Sequence, residues 1–330
     1  MVRIGLIGLG AIAYKIDSKS RSNKNAISYL SAIKQLDGVV ISHICDKDSE
    51  ALENFSQAFG SPVRKYRDYI EIIADANQFD LLCILTSDET HFEILSHAIE
   101  ANVTNILCEK PFVLHQWELH SVMELYRRSS SKVIINHSLR WDPMVQSMKS
   151  LVSDSKYVQV VRGTYVKGFM HNGIHILDLI VWFYGQPKQI LKLRESVFNG
   201  YSCIDLVLFY DQFIVNINCL DDKFYTEAEL DIVVGANRYV LGCGTYWFKH
   251  YKSIPSSDIP GYNYLSPEAV LHETNQLGSM VDVLVDVVNF VKEKKEKKHQ
   301  LCSIDDAYLS MRLAFQIANS KLLQVESFCA

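Results

Sequence analysis

Residues 4–15 read IGLIGLGAIAYK: an apolar run that breaks at Gly8, resumes for one leucine, breaks again at Gly10 and reaches Ala13. Two glycines one residue apart after such a run permit a tight turn at Gly8 and a close approach of something to the backbone at Gly10. A small residue at Ala13 lets the next helix lie against the strand, and the N–H groups that open that helix, over Ala11 and Ile12, then face an anion. Glycines also occur in ordinary turns. The stretch takes its meaning from its surroundings.

Outward from it, short apolar runs alternate with amphipathic ones as far as His137. The runs are VRIGLIG, VVISHIC, LLCIL, VTNILC and KVIIN, and the stretches between them carry apolar residues three and four apart. Strands apolar on both faces and separated by helices predict a doubly wound parallel sheet, an α/β domain over residues 1–137. The pattern then changes. Longer β-rich runs such as YVQVVRGTYV, CIDLVLFY and FIVNINCL cluster together with few helices, and VVGANRYVLG reads as a hairpin around Gly235, Ala236 and Asn237. Residues 138–330 are therefore expected to form an α+β domain with a mostly antiparallel open sheet. CIDLVLFY is apolar on both alternating faces, which suggests a sheet covered by a partner copy in a homodimer or homotetramer.

The 330 residues are 48% hydrophobic and 22% charged, ordinary globular values, and the formal charge of −5 argues against nucleic acid as a partner. Eight cysteines, at 45, 83, 108, 203, 219, 243, 302 and 329, form no C-x-x-C pair and read as buried, reduced thiols. The first segment reads as a strand rather than a leader, and no apolar run is long enough to span a bilayer. A cytoplasmic protein with no membrane partner is the expectation. The charged run KEKKEKKH (292–299) ends a helix and reads as a solvated terminus.

G-x-G-x-x-A after the first strand of such a sheet is a dinucleotide-binding signature, and the second strand supplies its partner. SHICDKD places Asp46 where a carboxylate accepts from ribose hydroxyls and repels a 2′-phosphate, favouring NAD over NADP; Lys47 beside it softens that preference. A plainer role for Asp46 is a helix N-cap. Asp46 lies 36 residues beyond Gly10, against about 20 in the usual spacing; the polar stretch KIDSKSRSNKN (15–25) accounts for the surplus as an insertion.

In an open parallel sheet, ligands sit beyond the carboxyl ends of the strands. Two predicted strands end there in ILTSDETH and ILCEKPF, which bring Thr86, Ser87, His91, Glu109, Lys110 and Pro111 to that edge. With these motifs, LRWDP (139–143), the helix GIHILDL and the closing SIDDAYLSMRLAFQIANS, the chain resembles the Gfo/Idh/MocA oxidoreductases over nearly its whole length. The resemblance implies an enzyme that moves a hydride between NAD(P) and a hydroxyl-bearing carbon of a sugar, inositol or nucleotide sugar. Lys110 would sit beside the nicotinamide and contact the reacting oxygen, while Thr86, Ser87, His91 and Glu109 would contact the cofactor.

His175 matches the family's histidine at the start of the second domain's first helix and would be the general base. Four residues earlier the family usually has Asp; this chain has His171. Three readings follow for His171: a substrate contact or proton relay, a mark of lost redox chemistry, or a metal ligand together with His175. The last lacks an acidic third ligand, and no metal is expected. Arg140, Asn172 and Tyr165 are candidate substrate contacts, with plainer readings as an ion-pair member, a helix cap and a strand residue that alternation turns away from the cleft. The family also includes NAD-using glycosidases and redox-inactive sugar-binding regulators, which are the alternatives to a dehydrogenase.

Overall fold

The computed structural model describes residues 1–16, 26–153, 155–242, 247–273, 280–293 and 301–322. Most of the 15–25 insertion, most of KEKKEKKH, Cys243 and Cys329 lie outside the described residues. The chain divides into two compact units, Met1–Asp142 with Gly278–Tyr308, and Pro143–Leu277 with Leu309–Ala330.

In the first unit β1 (Val2–Ile7), β2 (Val39–Cys45), β3 (Arg64–Tyr66), β4 (Leu81–Ile84), β5 (Asn105–Glu109) and β6 (Lys132–Asn136) form one sheet in the order β3-β2-β1-β4-β5-β6. Every neighbouring pair is parallel. Ile4, Leu6, Ile41, Ile44, Leu81 and Ile106 are wholly buried, as strands covered on both faces must be. The short edge strand β3 is absent from the hydrophobic pattern because its sequence is Arg-Lys-Tyr. Helices α1 (Tyr29–Ile33), α2 (Ser49–Phe59), α3 (Tyr69–Ala74), α4 (Asp88–Glu100) and α5 (Gln116–Arg128) flank the sheet. Asp48, rather than Asp46, caps α2: its carboxylate accepts from Glu50 N at 2.9 Å, and Gly60 at φ 78° ends the helix. β1 has β2 on one side and β4 on the other, so the strand order reverses between the ends of β1 and β4, the switch point where ligands enter this architecture.

The second unit holds α6 (Pro143–Val152), β7 (Val158–Tyr165), α7 (Ile174–Tyr184), β8 (Gln189–Phe198), β9 (Tyr201–Phe209), β10 (Ile214–Cys219), β11 (Glu229–Val234), β12 (Asn237–Gly242), β13 (Trp247–Pro255), β14 (Asn263–Leu265) and β15 (Val270–Glu273). The strands run β14-β13-β12-β11-β7-β10-β9-β8, with β15 on β13. All described pairs are antiparallel except β7 with β10. The β11–β12 hairpin pairs Val234 with Asn237 across Gly235 and Ala236, with Gly235 at φ 53°. α7 is apolar nearly all round and buries Ile176, Leu177, Leu179 and Ile180, each worth about 1.5–3 kcal/mol. Its fit to β7 is close, since a Cβ on Gly163 would lie 2.6 Å from Ile176.

Two helices complete the chain, α8 (Met280–Glu293) and α9 (Ile304–Asn319). α8 belongs to the first unit. Its Val283, Leu284 and Val287 are wholly buried in a cluster with Val2, Leu30, Ile33 and Trp141.

Candidate functional site

The glycine turn occupies the switch point of the first sheet. Gly8 adopts φ 92°, and a Cβ there would stand 2.7 Å from Thr86 N and 2.8 Å from Leu85 C. Only glycine tolerates both conditions. Around Gly10, by contrast, nothing lies within 4 Å of where a Cβ would be. A five-residue π-turn, Ala11–Lys15, follows, with Ala13 wholly buried and Ala11 exposed.

Asp46 directly follows β2 and braces this turn. Its Oδ2 accepts from Leu9 N at 2.8 Å and its Oδ1 from Asp48 N at 3.0 Å. Gly8, Gly10, Asp46, Lys47, Thr86 and Ser87 line one cavity of about 560 Å³. Arg67, Asp68, Tyr69 and Glu93 line it too, and the sequence reading missed all four. The first three follow the polar strand β3, which carries no hydrophobic signal. Thr86 Oγ1 is buried without a hydrogen-bond partner among the described residues. A cavity with a bare glycine at one wall, a carboxylate just after the second strand and an unmatched hydroxyl suits the adenosine and pyrophosphate of a dinucleotide.

Further along the same edge, Ser87 precedes α4, and His91 is buried in its first turns. The ring nitrogens of His91 lie 3.0 Å from Thr86 O and 2.8 Å from Pro111 O, so the ring ties the end of β4 to the turn after β5. The Lys110–Pro111 peptide is cis. Lys110 is half-buried; burial lowers its pKa from the usual lysine value, and Glu109 and Asp88 oppose that shift. Glu109 Oε1 accepts from the Tyr29 hydroxyl at 2.9 Å and from Asn136 Nδ2 at 2.7 Å. Neither donor stands out in the sequence. Arg140 is buried in a 3-10 turn, Ser138–Trp141.

In the second unit, Lys167 at φ 60° and Gly168 at φ 86° turn the chain out of β7 into a π-turn, Phe169–Gly173, that runs into α7. A non-glycine residue at positive φ is uncommon and often marks a functional turn. His171 and Asn172 lie in this turn, His171 exposed and ring-stacked on Tyr201 with centroids 6.5 Å apart. His175 is half-buried in the first turn of α7. Asp178, one turn on, is buried and its Oδ1 accepts from Ser310 Oγ at 2.7 Å. Tyr165 is a core residue: it is wholly buried, and its hydroxyl donates to Ile204 O at 2.9 Å and accepts from Ile204 N at 2.7 Å.

A six-stranded parallel sheet in this order, with a glycine turn and a bracing carboxylate at its switch point, defines a dinucleotide-binding Rossmann domain. Residues 2–137 match the Gfo/Idh/MocA family model, described as "Oxidoreductase family, NAD-binding Rossmann fold". Over residues 2–137 the chain is therefore similar to the NAD-binding Rossmann domain of that family. A curated D-apiose dehydrogenase of Paraburkholderia graminis is 32% identical over 127 residues, covering 38% of this chain and 33% of that one. The match thus spans about a third of the length of that relative. Among solved structures, a dehydrogenase (MviM) from Clostridium difficile has a TM-score of 0.74 at 14% identity, covering 96% of this chain and 99% of that one. An oxidoreductase from Agrobacterium radiobacter in complex with NAD+, L-tartaric acid and magnesium has a TM-score of 0.71 at 18% identity, covering 96% of each chain. At these identities the two structures establish a shared fold. Among the described residues, no helix is long and apolar enough to cross a membrane.

Proposed function

We propose that this protein is an NAD-dependent oxidoreductase acting on a hydroxyl-bearing carbon of a sugar, inositol or nucleotide sugar. The observation that carries the reading lies within the first unit. The glycine turn with its cavity and the Glu109–Lys110–Pro111 turn end on the same edge of one parallel sheet, joined through His91. The relative named for the sugar D-apiose supports the substrate class.

The bound nicotinamide supplies the hydride acceptor or donor, and NAD is favoured over NADP by Asp46. Gly8, Gly10, Ala11, Ile12 and Ala13 would hold the pyrophosphate end of the cofactor, with Lys47, Thr86 and Ser87 beside it. Lys110, as the ammonium ion, stabilises negative charge on the reacting oxygen; a single donor of this kind is worth roughly 10²–10³ in rate. His175 takes the hydroxyl proton during oxidation and returns it during reduction, a contribution of about 10²–10⁴. His171 orients the substrate or relays the proton, and Arg140 and Asn172 supply further polar contacts. The test is NAD binding together with substrate-dependent NADH formation across a panel of sugars, inositols and nucleotide sugars. Dinucleotide binding without turnover in either direction would remove the enzymatic part of the proposal.

A further inference from the structure

Tyr29 and Asn136 form a buried polar cluster that the chemistry above leaves without a task. Tyr29 comes from α1 and Asn136 from the end of β6, and they meet at one oxygen of Glu109, which ends β5. The Tyr29 hydroxyl donates to Glu109 Oε1 at 2.9 Å, Asn136 Nδ2 donates to the same oxygen at 2.7 Å, and Asn136 Nδ2 lies 3.3 Å from the Tyr29 oxygen. Tyr29 is 0% exposed and Asn136 2%. Glu109 Oε2 accepts no hydrogen bond from the described residues. Burying a phenol and an amide against a carboxylate carries a desolvation cost that a phenylalanine and a leucine in the same places would avoid. A use for the fixed carboxylate accounts for that cost.

We propose that Tyr29 and Asn136 are positioning residues for Lys110: they clamp Glu109, the residue before the lysine, as a carboxylate in a fixed place, and so keep the lysine in its ammonium form. The inference rests on the role given to Lys110 above. Of the charged groups that act on Lys110, Glu109 from β5 and Asp88 from the first turn of α4 both favour the ammonium against the larger effect of burial. The other titratable groups at Glu109 are Tyr29, Cys83 and Cys108. Burial, and then Glu109 itself, pushes their pKa values up, so the phenol stays a donor and the thiols stay neutral.

The test is ¹³C NMR titration of the reductively methylated full chain, without cofactor or substrate, the Lys110 signal being assigned by its loss in Lys110→Arg. Glu109→Gln is expected to lower the Lys110 midpoint by about half a pH unit or more. Tyr29→Phe, which removes only the hydroxyl, and Tyr29→Phe/Asn136→Ala should each lower it in the same direction, the double variant more. Should the double variant not fold, Tyr29→Phe alone decides. A midpoint unchanged in Tyr29→Phe, or unmoved even by Glu109→Gln, overturns the proposal. The readout needs no turnover, so a failure of the dehydrogenase reading would show separately, as absence of NADH across the substrate panel.

Discussion

Gly8 and Thr86 meet main chain to main chain: a Cβ on Gly8 would stand 2.7 Å from the Thr86 nitrogen. This contact joins the ends of β1 and β4 at the point where the strand order reverses. Gly8→Ala combines a backbone clash with a left-handed φ of 92°, and is expected to cost about 2–4 kcal/mol of stability along with dinucleotide binding. Chemical denaturation and calorimetric titration with NAD check both losses.

Gly10→Ala makes the opposite prediction. Nothing of the protein lies within 4 Å of a Cβ at this position, so stability should change by less than about 1 kcal/mol, the scale set by glycine's own entropy. NAD affinity should still fall tenfold or more, by roughly 1.4 kcal/mol. A Gly10→Ala protein that binds NAD as tightly as the wild type would show that the space beside Gly10 is not where the pyrophosphate lies.

Asp46→Ala removes both the brace on Leu9 N and the carboxylate proposed to accept from the ribose. The variant should bind NAD about tenfold more weakly and lose its discrimination against NADP, since Lys47 and Arg67 remain on the same wall. Parallel titrations with the two dinucleotides measure the ratio directly.

Lys110 gives a pH signature with a fixed sign. Its folded pKa is lowered by burial, so between that value and the ordinary one of about 10.4 the unfolded chain binds more protons. Stability contributed by this site therefore rises with pH across that window, and Lys110→Met should flatten the rise in urea midpoints. Activity that needs the ammonium should move the other way, falling as pH climbs through the lowered pKa.

How much of this was legible in the sequence depended on which physical signal each part carries. β1, β2, β4, β5 and β6 are buried on both faces and read as apolar runs; β3 is an exposed Arg-Lys-Tyr edge and left no trace. The hairpin at Gly235 was visible because a two-residue turn demands glycine at positive φ. Asp46 could be singled out by its place after β2, but its bond to Leu9 N depends on a fold that brings residues 37 apart together. Tyr29 and Asn136 could not be singled out at all. Each looks like an ordinary residue in its own segment, and they meet at Glu109 across separations of 80 and 27 residues. Likewise, that Tyr165 belongs to the core is fixed by Ile204, 39 residues on, which strand alternation at β7 alone cannot supply.

His171 is exposed and touches Tyr201 through ring stacking. His171→Ala should leave stability within about 0.5 kcal/mol of the wild type, and raise KM for the substrate several-fold while NAD affinity stays unchanged. His171→Asp, which installs the residue usual in the resembling family, should retain turnover. Loss of NAD binding in His171→Ala would place this residue with the cofactor instead.

The central claim is that Lys110 and His175 act with a bound nicotinamide on a sugar-like hydroxyl. The most direct test follows absorbance of reduced nicotinamide when the wild type, Lys110→Ala and His175→Ala are mixed with NAD and the substrate panel, with total product analysed from each reaction. The account predicts substrate-dependent NADH in the wild type and a loss of about 10²–10⁴ in rate in each variant, with NAD affinity retained in His175→Ala. Product formed without net NADH, or NADH formed equally fast by both variants, would contradict it.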